Sequence, residues 1–353
     1  MQTVVVGLSG GVDSSVAAFL LKQQGYNVIG LHMRGENKET SNADEQRVKN
    51  LCEVIGIECI VVDYQNHMQL VKDYFVHEYL AGRTPNPCVI CNREVKFKPF
   101  LDYMHGLKAD YFATGHYAII EHTEQGHYLK KAKDAEKDQT YFLCQLSSEQ
   151  ISNVLFPLGS LTKAEVKKIA EENNLVSKDT KESYDVCFLG SQKFKDFMNQ
   201  NYPEKSGNIV DEKTKKVVGV HNGISKYTIG QRRGLNIGGK NGFDANRWFV
   251  VKKDISTNTL YVSCGEGEAM YSSSCIVTEF NFINPPTQTT FNCNVKLRYR
   301  QPDQPTQVEV INNNTLKLTF NQKQKAVTIG QFAVLYDDKG YCLGGGIINE
   351  IIK

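Results

Sequence analysis

Seven residues constrain this chain more than any others: Ser9-Gly10-Gly11-Val12-Asp13-Ser14-Ser15. They directly follow the apolar run Thr3-Val4-Val5-Val6-Gly7 and open an amphipathic stretch from Asp13 to Gln24. Strand, glycine turn and helix in that order present backbone N–H groups at the positive end of a helix, which favours an anion of pyrophosphate size. The loop lacks the Lys-Ser/Thr ending of the usual triphosphate loop and the glycine spacing of the dinucleotide fingerprint. A merely flexible glycine turn would not need to sit between a strand and a helix.

The pattern around this loop repeats. Apolar runs at Asn27 to Leu31, Glu58 to Val62 and Tyr111 to Thr114 alternate with helical stretches at Ser41 to Ile55 and His67 to Tyr79. Such alternation predicts βαβ units and a doubly wound α/β domain with a parallel sheet. A further helix is predicted from Thr162 to Asn173, where Thr162 and Glu165 match a capping box. After Gly207 the chain changes character. Short β-prone runs such as Trp248 to Val251, Val295 to Tyr299 and Ala333 to Tyr336 are punctuated by Gly, Asn and Pro, which predicts a small central β-containing domain and then a C-terminal β-barrel. The expected domains are 1–205, 206–275 and 276–353, with no internal repeat.

Composition excludes little. Hydrophobic residues make up 41% and charged residues 23% of the 353, so a folded chain is expected. No apolar run approaches the ~20 residues of a membrane span, and the first residues do not resemble a secretory leader, so a cytoplasmic protein with no membrane partner is expected. Its ten cysteines should then stay reduced unless they do chemistry. A net charge of +2 neither demands nor excludes a polyanionic partner.

Two contexts single out cysteines. In Gly82-Arg83-Thr84-Pro85-Asn86-Pro87-Cys88-Val89-Ile90-Cys91-Asn92-Arg93-Glu94-Val95-Lys96-Phe97, two prolines hold the approach extended and a helix is predicted to begin near Cys91, where the helix end lowers a thiol pKa. Lys181 to Gly190 places Cys187 in a polar loop. Buried structural cysteine is the usual role of any one cysteine, but these motifs favour a nucleophile.

The glycine loop resembles that of the ATP pyrophosphatase family, whose members form adenylated intermediates. Together with Thr114-Gly115-His116-Tyr117-Ala118, Lys137 to Leu143, Tyr227 to Leu235, Arg298-Tyr299-Arg300 and Ala326 to Gln331, it makes the chain resemble the tRNA-specific 2-thiouridylases over nearly its full length. The resemblance implies ATP at Gly7, Leu8, Ser9, Gly10, Gly11, Val12, Asp13, Ser14, Met33 and Gly115, with Ser9 and Asp13 expected to hold phosphate oxygens and Mg2+. It implies Cys91 as nucleophile and Cys187 as persulfide carrier, a disulfide between them being a by-product of sulfur transfer. It places the target base at Asn86, Pro87 and Cys88, and tRNA at His116, Lys137, Asp138, Gln139, Arg298, Tyr299 and Gln331. The implied partners are tRNAs with a wobble uridine, such as those for Lys, Glu and Gln, and a sulfur-donor or sulfur-relay protein.

One departure stands out. Many relatives have Asp where this chain has Cys88, so Cys88, Cys91 and Cys187 form a candidate ligand set for a [4Fe-4S] cluster. Metal-free persulfide chemistry, zinc or a structural pair remain alternatives. Two rival functions are a pyrophosphate-loop synthetase adenylating a small metabolite, and a non-catalytic RNA- or metal-binding module. The first has no use for the paired cysteines, and the second none for the intact loop.

Overall fold

The computed structural model describes residues 1–34, 38–63, 65–175, 187–189, 192–237 and 247–353, apart from the side chains of 38–41, 65, 66 and 187. The Cys187 side chain therefore lies outside the described residues, as do residues 181–186 of its motif.

The first half alternates β1 (Thr3–Gly7), α1 (Val12–Gln23), β2 (Asn27–Arg34), α2 (Lys38–Ile55), β3 (Glu58–Asp63) and α3 (Gln65–Leu80). A long helical passage follows in three parts: α4 (Pro87–Ile90), a π-helix (Cys91–Phe97) and α5 (Lys98–Gly106). Then come β4 (Tyr111–Ala113), the hairpin β5 (Ala118–Thr123) and β6 (Gly126–Lys131), α6 (Thr140–Leu143), α7 (Ser148–Ser152), β7 (Val154–Leu155) and α8 (Lys163–Glu172). Five described strands form a parallel sheet in the order β3-β2-β1-β4-β7. Helices cover both faces, which is why β1 reads as an unbroken apolar run: Val4, Val5 and Val6 are all fully buried. Strand order reverses between β1 and β4, so the crevice beyond their carboxyl ends lies between the glycine loop and residues 114–117. The predicted capping box is present, with Thr162 capping α8 and Glu165 reaching back to it.

After α9 (Phe194–Asn201), the central unit has β8 (Gly207–Asp211), β9 (Val217–His221), β10 (Trp248–Asp254) and β11 (Thr259–Cys264), in the order β10-β11-β8-β9. Its core includes Ile209, Val250, Leu260 and Val262, and Trp248 is buried against it.

The barrel consists of β12 (Tyr271–Phe282), β13 (Thr290–Lys296), β14 (Gln304–Asn312), β15 (Thr315–Lys325), β16 (Phe332–Tyr336) and β17 (Tyr341–Ile352). These run antiparallel in the order β12-β15-β14-β13-β16-β17, and β12 pairs with β17 to close the ring. The boundary expected at 275/276 falls inside β12. Of the run Val295–Tyr299 only the first two residues are strand, because β13 ends at Lys296 and the chain bends into a loop. A second departure is larger. The hairpin β5–β6, in the first half of the chain, adds to the barrel through pairs Tyr341–Lys130 and Cys342–Leu129.

Candidate functional site

At the glycine loop, Leu8 N donates to Leu31 O at 2.8 Å, holding the end of β1 to β2. Gly11 caps α1, and the hydroxyls of Ser14 and Ser15 both donate to its carbonyl, at 3.1 and 2.8 Å. The Ser9 hydroxyl, on the exposed side, lies 3.2 Å from that of Ser14. The outward N–H groups of the first turn of α1 thus meet a hydroxyl at the mouth. Gly115 forms the opposite wall. A Cβ there would stand 2.7 Å from Asp13 C and 2.8 Å from Ser14 N, so only glycine lets the end of β4 approach the loop this closely. Met33, near the end of β2, is half-buried against the cluster of Val5, Phe97 and Phe112, on the other side of the sheet from Leu8 and Val12.

Asp13 is engaged within the protein. Its carboxylate accepts from Lys163 Nζ at 2.7 and 2.9 Å and from the Tyr117 hydroxyl at 3.0 Å. It is an ion-pair partner here, and among the described residues no group of three His, Cys, Asp or Glu could hold a metal ion.

The cysteine helix starts earlier than predicted. Asn86 caps it by accepting from Cys88 N at 3.2 Å, and Pro87 takes the first position. Cys88 therefore occupies the first turn and is exposed, whereas Cys91 lies one turn inside and is buried where α-helix passes into π-helix. The correction follows from the Asn-Pro pair, a better start signal than the cysteine itself. The two thiols, three residues apart, share one side of the helix. Phe188, next to Cys187, packs edge-on against Phe75 of α3 at 5.2 Å, and α3 packs against the π-helix.

The barrel fixes the approach to this helix. Thr84 N donates to Ile329 O at 2.9 Å, and Gln331 Nε2 donates to the carbonyls of Thr84 and Pro85 at 2.8 and 3.2 Å. Gln331, expected at tRNA, spends its amide on the loop before the cysteines. Asn92 donates to Phe142 O at 3.0 Å, and the Phe142 ring lies 4.4 Å from that of Tyr299.

His116 Nδ1 lies 2.7 Å from the Thr114 hydroxyl, and its ring packs between Phe97 and Phe156. Burial of the ring, helped by the Lys96 charge, holds its pKa well below the usual histidine range, although part of the residue still meets solvent. The imidazole is neutral at pH 7.

A cleft of about 580 Å³ gathers Lys137, Asp138, Lys296, Tyr299 and Arg300 between the 135–138 loop and the barrel loop after β13. Two residues expected at tRNA are engaged within the protein. Asp138 is only 4% exposed and accepts from Ala132 N and the Thr140 hydroxyl, at 3.0 and 2.8 Å, so it shapes the loop from within. Arg298 Nη2 donates to Ile229 O, Ala326 O and the Thr328 hydroxyl at 2.8–3.0 Å, clamping the central unit to the barrel. Gln139 pairs through its side-chain oxygen with Tyr117 N at 2.9 Å.

Family models match the chain in three consecutive pieces: a tRNA methyl transferase HUP domain over 2–191, a tRNA methyl transferase PRC-barrel domain over 195–264 and an aminomethyltransferase beta-barrel domain over 272–348. A tRNA-specific 2-thiouridylase of Geobacillus kaustophilus is 46% identical over 361 residues, covering 100% of this chain and 96% of the relative. One of Staphylococcus epidermidis is 44% identical over 99% of this chain and 96% of the relative, and one of Alkaliphilus oremlandii is 44% identical over 99% and 98%. The chain belongs to the tRNA-specific 2-thiouridylase family. Among solved structures, the U34-tRNA thiolase NcsA from Methanococcus maripaludis with its [4Fe-4S] cluster overlaps 57% of this chain and 67% of its own, at 22% identity and a TM-score of 0.36, too loose a likeness to bear on the cysteines.

For a member of the thiouridylase family, the close wall at Gly115 and the capped start of α1 fit a nucleotide phosphate. Sequence reasoning missed the ion pair of Lys163, in the helix predicted from Thr162 to Asn173, with Asp13, because the two lie 150 residues apart.

Proposed function

We propose that this chain is a tRNA-uridine 2-sulfurtransferase that uses ATP to activate the wobble uridine of tRNA and replaces its 2-oxygen with sulfur. The observation that supports this best is the junction of the two halves of the site. Gln331 and Ile329 of the barrel hold the Thr84–Pro85 backbone that leads into the cysteine helix, while Gly115 seats the nucleotide loop alongside.

The uridine 2-oxygen attacks the α-phosphorus of ATP. An O–P bond forms, the P–O bond to pyrophosphate breaks, and the N3 proton leaves to water. A persulfide on Cys187, charged by a sulfur-relay protein, then attacks C2 and displaces AMP. Cys91 thiolate attacks the Cys187 sulfur, the S–S bond to the base breaks and N3 takes a proton back from water, releasing 2-thiouridine and leaving a Cys91–Cys187 disulfide that a cellular dithiol must reduce. Asn86, Pro87 and Cys88 frame the base, and neutral His116 acts as a hydrogen-bonding wall. Magnesium enters on the phosphates of ATP, in keeping with its preference for substrate oxygens. The reaction runs in the cytoplasm on wobble-uridine tRNAs such as those for Lys, Glu and Gln.

The test is mass spectrometry of tRNA nucleosides from cells with and without the protein. Loss of wobble 2-thiouridine on deletion supports the assignment. Unchanged 2-thiouridine, with ATP consumed on a small metabolite instead, would reject it.

A further inference from the structure

We propose that Lys163, from the first turn of α8, is the cation that binds the triphosphate of ATP at the glycine loop, exchanging its bond to Asp13 for one to the nucleotide. The inference deepens the ATP-dependent reading above and rests on it. It supplies what the loop sequence lacks, since the usual triphosphate loop carries its lysine within itself.

Three observations place the charge there. Lys163 Nζ touches both oxygens of Asp13, a first-turn residue of α1, so the ammonium stands beside the first turn of the helix that the glycine loop opens. The lysine side chain is only 13% exposed, against 35% for its partner. The ammonium is thus the less exposed member of the pair, and it also lies 6.0 Å from the centre of the Tyr117 ring, which keeps it at the loop. Finally, the lysine is held from behind. Its backbone N–H donates to Asp134 Oδ2 at 2.9 Å, the Thr162–Glu165 box fixes the helix start, and α8 packs along α1.

A lysine is a compact point charge that suits phosphate oxygens, and a triphosphate offers more charge than one carboxylate. As the P–O bond to pyrophosphate breaks, its electron pair passes to the leaving oxygen. Lys163 faces the group on which that charge collects. Asp13 then holds the lysine poised while the site is empty, and the Tyr117 hydroxyl keeps Asp13 in place.

The experiment is equilibrium binding of ATP, inorganic pyrophosphate and AMP to the full-length protein by calorimetry, for wild type, Lys163→Met and Lys163→Arg, with thermal unfolding of each. Lys163→Met should weaken ATP and pyrophosphate by roughly tenfold or more, the scale of one lost charge-assisted bond, and leave AMP within about twofold. Lys163→Arg should regain most of the ATP affinity. Unchanged ATP and pyrophosphate binding in Lys163→Met would overturn the proposal. So would equal weakening of all three ligands with a lowered melting temperature, which would mark Lys163 as a structural partner of Asp13; if Lys163→Met does not fold, Lys163→Gln takes its place and is read by the same outcomes. Wild-type protein that binds no ATP would instead overturn the ATP reading itself.

Discussion

Arg298 and Arg300 stand two residues apart, yet one guanidinium is spent on three oxygens of neighbouring turns and the other lines the open cleft with Lys137 and Lys296. Arg300→Ala should therefore flatten the salt dependence of tRNA binding by about one ion-release unit. Arg298→Ala should leave that slope unchanged and instead lower stability by about 1–3 kcal/mol, the cost of orphaned acceptors. Filter binding across salt concentrations, paired with denaturation, separates the two; equal slopes in wild type and Arg300→Ala would remove the cleft from the tRNA footprint. His116 carries a pH prediction. Its folded pKa lies below the ordinary 6.5 because its ring is buried, so the unfolded chain takes up the proton first as pH falls. The stability it contributes is complete above about 6.5 and is lost as pH falls from there toward the folded value. Denaturation at pH 7.5 and 5.5 should show a smaller acid loss in His116→Gln than in wild type. Neither assignment was legible in the residues alone. Whether Asp138 or Arg298 turns outward depends on partners such as Ala326, 28 residues away, that local sequence does not name.

At the scale of elements, the strand-loop-helix order and the capping box were readable because their causes are local. One repeat was not seen. Thr228-Ile229-Gly230-Gln231 recurs as Thr328-Ile329-Gly330-Gln331, and both form the same turn. In each, Gln N bonds Thr O, while Gly N and Gln O pair with one residue of a neighbouring strand, Val250 in the first and Ile348 in the second. Both glycines have positive φ, 83° and 90°, which explains the fixed residue. Four residues are too few to register as a repeat until their hydrogen bonds are compared. A Cβ on Gly330 would stand 2.9 Å from Thr84 N, so Gly330→Ala should both strain the turn, by about 1–3 kcal/mol, and push the loop away from the barrel. Thiolation by Gly330→Ala should fall further than its stability loss explains, and Gly230→Ala, remote from that loop, should spare it at matched stability. Equal activities in the two variants would show that the barrel does not position the cysteine helix. The exposed Cys88 in the first turn tests the cluster alternative. If Cys88, Cys91 and Cys187 bind iron, anaerobically purified protein contains iron and acid-labile sulfide, and Cys88→Asp loses both with activity. An active, iron-free Cys88→Asp enzyme leaves persulfide chemistry as the route.

Across the whole molecule, three units succeed one another along the chain, but the first and last are interlocked. The hairpin β5–β6 extends the barrel sheet, and Asn284 Nδ2 donates to His127 O at 2.9 Å beside it. Buried Tyr141 donates to Phe332 O at 2.9 Å, Gln145 to Gly345 O at 2.5 Å, and Asn281 to Leu146 O at 2.9 Å. These contacts join residues 135 to 200 positions apart, the kind of pairing that a strand pattern cannot reveal. They predict that 1–205 is not an independent folding unit, although it looks like one in sequence. Cut there, it would expose fully buried Leu129, Leu143 and Cys144 and leave the Tyr141 hydroxyl without its barrel acceptor. Expressed alone, 1–205 should aggregate or lack a cooperative thermal transition, and co-expression with 206–353 should recover soluble complex that binds ATP. In the intact chain the α/β domain and the barrel should unfold in one calorimetric transition, with ATP raising its midpoint as a whole. A soluble 1–205 with its own sharp transition and wild-type ATP affinity would show that the barrel only docks on the nucleotide domain, and the link from the 329–331 turn to the cysteines would then have to be carried by the Thr84–Pro85 contact alone.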